Sequence, residues 1–554
     1  MPSEEVDSKA SKKKVGVFSF LIKLSRISQY RLIFLVSLFL VLFDNLTFFS
    51  DCLSVYPLRQ GSDVFYILSL GLVLLLVTFF VLSIFASKYT TKGILILVLI
   101  ISAFVKYFMS TYHVVIDSVM LTNVMQTNIH ESSDLFSYKL VIDVVLFGLF
   151  PSYLVFKAKI IYKSVKKELV FKIIFLFTSL VFIILIMLAS GRFYASFLRE
   201  HKPIRYYTNP TFWIYNVVKY AFSDPYAINI KLKKIGLDAQ IPKQAKKRLL
   251  IVVVGESARA DRFSLNGYNK DTNPLLSKEK NLISFGDMRS CGTSTAFSVP
   301  CMFSILRRSN YSMKKAKRIQ NVLDVLDHTK KVSILWRDNN SDSKGVAIRE
   351  KHENYKTSKR NTMCDKNGNC RDVGMLVGLD KYIKKQKNKN ILIVLHQMGS
   401  HGPAYYKRYP KSFEKFKPIC HTNQLQKCTQ EEVNNAYDNT ILYTDYFLSK
   451  TIDFLKPFNK TYQTAMIYMS DHGESLGKND IYLHGMPYFM APIAQRHIGS
   501  VLWLGKDLAK KDYKKINLKK NERFSQDNLF STILGFFHVK TKVYTKKLDI
   551  LASN

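Results

Sequence analysis

Five long apolar runs dominate the first third of this chain: Ile33–Ser50, Phe65–Ala86, Ile94–Met109, Lys139–Tyr162 and Phe171–Ala189. A membrane-spanning helix needs about 20 predominantly apolar residues, and the runs approach or meet that length. Beyond them the character changes. Residues 1–189 carry 18 Lys/Arg and 11 Asp/Glu, whereas residues 190–554 carry 63 and 31, a net of +32. A greasy, nearly uncharged part is thus joined to a basic, water-soluble one, which excludes a purely cytosolic globular enzyme. With 47% hydrophobic residues the chain is also too apolar for global disorder. A cleaved signal sequence would explain the first run alone, but four more follow and no small-residue cleavage site stands out.

The basic residues orient the spans. Lys9, Lys12, Lys13, Lys14, Lys23, Arg26 and Arg31 precede the first, and Lys157, Lys159, Lys163, Lys166, Lys167 and Lys172 crowd the turn between the last two. The loop from Ser110 to Tyr138 has neither lysine nor arginine. The N-terminus is therefore expected inside and everything beyond about Ser190 outside. Cysteine spacing offers an independent argument. Cys291 and Cys301, Cys364 and Cys370, and Cys420 and Cys428 form three close pairs in polar loops, with Cys52 left over. No CxxC zinc-ribbon pair is present, so local disulfides in an oxidising compartment such as a periplasm are expected. The expected organisation is a transmembrane domain at 1–190, an interfacial linker at 191–247 and a catalytic domain at 248–554. Within the linker, Phe212–Phe222 reads equally as a helix lying on the bilayer surface or as an ordinary packed helix.

From Arg248 short apolar runs alternate with helical stretches. Leu249–Val254, Val332–Trp336, Ile391–Leu395, Thr464–Met469 and Val501–Leu504 read as buried strands, and Glu431–Leu455 as a helix. That alternation predicts an α/β sandwich around a mainly parallel sheet. Ligands of such sheets bind beyond the carboxyl ends of the strands, where Glu256, His396, Asp471 and His472 stand.

Glu256, Asp471 and His472 form a borderline-hard donor set that suits Zn²⁺, with Mn²⁺ as an alternative, and three protein ligands leave a position for a nucleophile or a substrate oxygen. Thr293, Ser294 and Thr295 precede a helix expected from Ser298 to about Leu306, whose N-terminus would favour an anion. A hydroxyl there can act as a nucleophile when a metal lowers its pKa; an ordinary N-cap is the plain alternative. His401 and His484 lie in glycine-flanked loops, where they could hold a phosphate, protonate a leaving group or bind a second metal.

The segments Val254-Gly-Glu-Ser-Ala-Arg259, Cys291-Gly-Thr-Ser-Thr-Ala296, His396-Gln-Met-Gly-Ser-His-Gly-Pro403 and Ser470-Asp-His-Gly-Glu-Ser-Leu-Gly477 resemble those of the lipid A phosphoethanolamine transferases, which include the mobile colistin resistance enzymes. The resemblance covers essentially the whole chain. It implies a five-span α-helical membrane domain joined to a soluble α/β domain of the alkaline phosphatase/sulfatase type. It further implies a catalytic zinc held by Glu256, Asp471, His472 and Thr295, with Thr295 becoming phosphorylated and Thr293 the second choice. His401 and His484 resemble the family's substrate-phase histidines, which sometimes hold additional zinc. Ser341 and Lys344 align with phosphate-contacting positions. The stretch Asn123-Val-Met-Gln-Thr127-Asn-Ile-His-Glu131 resembles the segment that binds the ethanolamine head group; an amphipathic surface helix is its plain alternative. Implied partners are phosphatidylethanolamine as donor, lipid A as acceptor and the bacterial inner membrane, with no nucleic acid, and a monomer is expected. Three rivals are weaker. A sulfatase would need a Cys/Ser-x-Pro-x-Arg signature, but Cys301 is followed by Met302, Phe303 and Ser304. A glycerolphosphate polymerase of the lipoteichoic acid type would prefer Mn²⁺ and have little use for three disulfides. A membrane-anchored scaffold would need no metal.

Overall fold

The computed structural model describes residues 26–59, 61–127, 129–222, 232–386 and 389–552, apart from the side chains of residues 62, 129–131 and 192. The basic tail at Lys9, Lys12, Lys13, Lys14 and Lys23 lies outside the described residues, as does the side chain of Glu131. The chain divides into two compact units, Met1–Asp117 with Ser137–Lys219, and Ser118–Phe136 with Tyr220–Asn554.

The first unit is helical. Among the described residues, four helices are long and apolar enough to cross a membrane: Asp63–Phe85, Thr91–Tyr112, Tyr138–Lys157 and Val165–Ala189. The first apolar run is not one straight helix. Gln29–Asp44 and Leu46–Val55 meet at a bend of 57°. Asn45 causes it. Its carboxamide donates to Leu40 O at 2.9 Å and Asn209 O at 2.6 Å. Asn209 N–H returns a bond to Asn45 Oδ1 at 2.8 Å. This buried exchange of amide bonds competes with the helix's own ladder. Phe212–Phe222 falls in the helix Thr211–Phe222, with Trp213 buried and its Nε1–H donated to Asn209 Oδ1 at 3.1 Å.

The second unit is built on a seven-stranded sheet. In chain order its strands are β1 (Lys247–Gly255), β2 (Leu282–Ser284), β3 (Val332–Asp338), β4 (Lys351–Asn354), β5 (Asn390–His396), β6 (Tyr462–Ser470) and β7 (Ser500–Leu504). Their spatial order is β2-β7-β6-β1-β5-β3-β4. Strands β6, β1, β5, β3 and β4 run parallel, and β7 is antiparallel to both β6 and β2. The central strands are apolar without alternation because helices cover both faces; Leu249 to Val254 and Ile391 to Leu395 are all fully buried. The long helix Gln430–Leu455 starts where its sequence says it should. Thr429 Oγ1 accepts the Glu432 N–H at 3.2 Å, and Glu432 Oε2 accepts the Thr429 N–H at 2.7 Å. Edge strands β2 and β4, short and part polar, have no counterpart among the sequence expectations.

Disulfides join Cys291 to Cys301, Cys364 to Cys370 and Cys420 to Cys428, and Cys52 is free and buried.

Candidate active site

Four parallel strands end on the same edge of the sheet and deliver the site. β1 leads into Glu256 and Ser257, β3 into Asn339 and Asn340, β5 into Gln397, and β6 into Asp471 and His472. Glu256, Asp471 and His472 are completely buried. His472 Nε2 lies 3.4 Å from Glu256 Oε1 and 3.2 Å from Asp471 Oδ2. Ser257 is held in the left-handed region at φ 57°, and its N–H donates to Asp471 Oδ1 at 3.1 Å. Strain of this kind persists where surrounding structure enforces it.

The nucleophile segment differs in one detail from expectation. The helix begins at Thr295 and ends at Met302, three residues earlier than the sequence suggested, because the Ser294 carbonyl already accepts from Phe297 N at 3.1 Å and Ser298 N at 2.9 Å. Thr295 is therefore the first helical residue. Its hydroxyl donates to Glu256 Oε2 at 3.1 Å and lies 3.3 Å from His472 Nε2. Thr293 points elsewhere, with its hydroxyl donated to Met486 O at 2.6 Å.

The histidines close a second side. His484 Nδ1 is bonded to Glu474 Oε2 at 2.7 Å, and its ring lies 4.1 Å from that of His472 and 6.0 Å from that of His401. Burial pushes His484 down, but the Glu474 carboxylate outweighs it and raises the imidazole to about 9. His472 is pushed down to about 4, by burial first and the neighbouring His484 second. Burial and the charge of Glu256 both push Asp471 up, since two carboxylates in one dry pocket cannot both ionise cheaply.

The donor set fits a divalent cation. Ligand atoms of Glu256, His472 and His484 all lie within 4.8 Å of one another. Asp471 Oδ2 and His401 Nδ1 are buried with no hydrogen-bond partner, a costly arrangement unless something accepts them.

Sequence reasoning stopped short of three residues. Asn340 donates to Glu256 Oε2 at 2.8 Å and to Gln397 O at 2.9 Å. It stands two residues past the end of β3, so the strand-end rule that found Glu256 would have found it. Its neighbour Ser341 is buried and donates its N–H to Asn340 Oδ1 at 2.6 Å. Glu474, fully buried, holds His484 and accepts from Tyr405 Oη at 2.7 Å. Gly399, at φ 49°, lies so close to the Glu256 backbone that a Cβ there would sit 3.0 Å from its carbonyl oxygen. Lys344 lines a cavity of about 260 Å³ with Ala296, Pro300, Thr122 and Gln126. Asn123 and Thr127 lie on and just after the helix Ser118–Gln126, with Thr127 Oγ1 donated to Asn123 O at 2.7 Å. That helix packs against Thr295–Met302.

Comparison with known proteins completes the picture. A family model described as Phosphoethanolamine transferase EptA/EptB matches residues 74–224, and one described as Sulfatase matches residues 248–539. The chain is 44% identical over 487 residues to the phosphatidylethanolamine transferase Mcr-2 of Escherichia coli, covering 86% of this chain and 90% of that protein. Among solved structures, the integral membrane lipooligosaccharide phosphoethanolamine transferase A of Neisseria meningitidis superposes with a TM-score of 0.91 at 33% identity, covering 95% of this chain and 99% of that one. The C-terminal periplasmic domain of the phosphoethanolamine transferase EptC of Campylobacter jejuni matches at a TM-score of 0.52 and 45% identity, over 58% of this chain and 97% of that one. With the helical membrane unit and an alkaline phosphatase-like sheet carrying a buried carboxylate, imidazole and threonine cluster, the chain belongs to the phosphoethanolamine transferase family of enzymes.

Proposed function

We propose that the protein moves phosphoethanolamine from phosphatidylethanolamine to lipid A through a covalent intermediate on Thr295. The observation that carries this reading is the Thr295 hydroxyl, buried at a helix N-terminus and 3.1 Å from Glu256 Oε2. A hydroxyl so placed is oriented toward a single reacting centre and flanked by backbone N–H groups that favour a phosphoryl group.

Glu256, Asp471, His472 and Thr295 would hold a zinc ion. When bound, such an ion lowers the pKa of the hydroxyl and offsets charge on phosphoryl oxygens. The chain's own groups account for the rest. Glu256 Oε2 orients the hydroxyl. The Thr295 proton passes to Glu256 Oε2, which already accepts its hydrogen bond, the Thr295 oxygen bonds to the donor phosphorus, and the bond from phosphorus to the diacylglycerol oxygen breaks. His484, kept protonated by Glu474, or His401 supplies the proton that diacylglycerol takes away. A lipid A phosphate oxygen then attacks the phosphothreonine, and the threonine leaves and recovers its proton. Ser341 and Lys344 supply donors to the phosphoryl oxygens, while Asn340 holds Glu256 Oε2 in place. Asn123, Thr127 and Glu131 offer amide, hydroxyl and carboxylate groups to the ethanolamine ammonium. As the alternative to that acid role, His401 and His484 are the residues on which a second zinc would rest.

In this reading residues 1–190 form the membrane part with a cytoplasmic N-terminus, 191–247 the interfacial linker and 248–554 the catalytic domain on the periplasmic side of the inner membrane. The product carries less negative charge, so cationic peptides such as polymyxins bind it less well. The test is mass spectrometry of lipid A from cells with and without the protein. An added phosphoethanolamine group that disappears with Glu256→Ala supports the reading; unmodified lipid A in expressing cells, or modification that survives the substitution, refutes it.

A further inference from the structure

A second cavity in the soluble unit, of about 400 Å³, lies outside the cluster just described. Lys356, Arg371, Lys407 and Arg408 line it, against the carboxylates of Asp134 and Asp372. Asp134 is committed to Lys407 at 2.6 Å and to Arg408. Arg371 is paired with Asp365 at 2.9 Å. Asp372 is fully committed as well, accepting the N–H groups of Met398 at 2.8 Å and Gly399 at 3.1 Å. Lys356, half-buried, has no carboxylate within ion-pair distance among the described residues. Asn367 and Tyr406 also line the wall. A spare ammonium, guanidinium groups, an amide and an aromatic face together suit an anionic sugar. The Lys356 ammonium takes the phosphate, with the paired cations lining the wall behind it, the amide takes hydroxyls, and the ring covers the apolar face of the pyranose.

Its position gives the cavity meaning. Two of its lining residues, Asn339 and Met398, are chain neighbours of groups that touch Glu256 or its neighbours. Asn340 bonds Glu256 Oε2 at 2.8 Å, and Gly399 lies so close to Glu256 that a Cβ on it would sit 3.0 Å from the Glu256 carbonyl oxygen. Arg408 also donates Nε–H to His401 O at 2.7 Å. A sugar phosphate held here would sit one loop away from the candidate nucleophile, on the side of His401.

We propose that this cavity binds a phosphorylated sugar of the acceptor and presents it to the loaded enzyme; the assignment rests on the transferase reading above for its role, but not for the binding itself. The probe is glucosamine 1-phosphate, titrated calorimetrically into the full chain in non-ionic detergent. Lys356→Glu should weaken binding about tenfold, the scale of one charge-assisted contact, and Tyr406→Ala should weaken it too. Cleavage of head-group-labelled phosphatidylethanolamine, the donor half of the reaction, should be unchanged by either. Equal affinity in wild type and Lys356→Glu overturns the proposal, as does a parallel loss of donor cleavage. Displacement of the probe by lipid A identifies lipid A as the source, displacement by a phosphorylated heptose identifies a core sugar, and displacement by neither overturns the acceptor role. Failure of the transferase reading shows separately, as donor cleavage that survives Thr295→Ala.

Discussion

Thr295 Oγ1 and Glu256 Oε2 are 3.1 Å apart although 39 residues separate them in the chain. One residue opens a short helix, the other ends the central strand, and both are buried. Removing the hydroxyl should therefore remove the reaction without disturbing the fold. Thr295→Ala is expected to lower transfer by roughly three orders of magnitude or more, with thermal stability near wild type. Thr295→Ser should retain part of the activity. A phosphoethanolamine adduct on the tryptic peptide containing residue 295, present in wild type under donor excess and absent from the alanine variant, is the direct readout.

The orphaned Asp471 Oδ2 and the squeezed pair of carboxylates lead to a prediction about metal. Two buried acids 3.2 and 3.4 Å from one imidazole repel each other unless a cation lies between them. Elemental analysis of the purified protein should find zinc. Asp471→Ala should reduce the zinc content and, through ligand linkage, remove the fall in Tm that a chelator produces in wild type. An identical chelator response in both proteins would speak against Asp471 as a ligand.

Thr295 also sits inside the loop closed by Cys291–Cys301, whose ends are 10 residues apart in sequence. Closing a loop of that size stabilises a fold by about 2–3 kcal/mol in the chain-entropy picture. The paired change Cys291→Ser with Cys301→Ser should lower the Tm of the soluble unit and, because the nucleophile rides on that loop, lower kcat more than KM. Breaking Cys420–Cys428 instead should cost stability with a smaller effect on kcat.

The legible parts of this molecule were those encoded locally. The strands β1, β5 and β6 are unbroken apolar runs with chemical residues at their ends, and the expected helix Glu431–Leu455 starts within one residue of the observed Gln430. The nucleophile helix begins at Thr295, three residues before the expected Ser298, because the Ser294 carbonyl already accepts from Phe297 and Ser298, and Pro300 lies well inside it. Edge strands β2 and β4 are too short and polar to show any period. Asn340 and Glu474 acquire meaning only through partners distant in sequence, Glu256 and His484 or Tyr405 respectively. The bend at Asn45 was hidden for the same reason, since its partner Asn209 is 164 residues away.

Asp445 gives a prediction about pH. It accepts the N–H groups of Leu275 and Leu276, both at 2.9 Å. Burial outweighs those bonds and pushes its carboxyl up to about 7, against about 3.9 in an unfolded chain. A raised folded-state pKa means that the contribution is fully present below pH about 4 and is lost as pH rises through 7. Other carboxylates, such as Asp338 held low by His396, act oppositely, so the difference between proteins is the informative quantity. Asp445→Asn should be less stable than wild type at pH 5, and the gap should narrow by pH 8. A gap that stays constant across that range would show that Asp445 is already ionised in the fold.

Asn45 and Asn209 yield the last prediction, in the membrane unit. Asn45 Nδ2 donates to Asn209 O at 2.6 Å, and Asn209 N–H donates to Asn45 Oδ1 at 2.8 Å. Asn209 Nδ2 in turn donates to Ser102 O at 2.9 Å, and both asparagines are essentially fully buried. Replacing Asn45 by alanine leaves a backbone N–H and a carbonyl without partners in an apolar surrounding, at about 1–3 kcal/mol each. Replacing it by leucine also lets the apolar run continue, removing the reason for the 57° bend between Gln29–Asp44 and Leu46–Val55. Both variants should lower the Tm of the detergent-solubilised full chain, and Asn45→Asp, which keeps the acceptor but loses the donor, should fall between alanine and wild type. Donor cleavage per folded molecule should change less than stability, because none of these groups belongs to the soluble unit that carries Thr295. Equal Tm values for Asn45→Ala and wild type would mean that the bend is set by packing of the helices rather than by this amide pair.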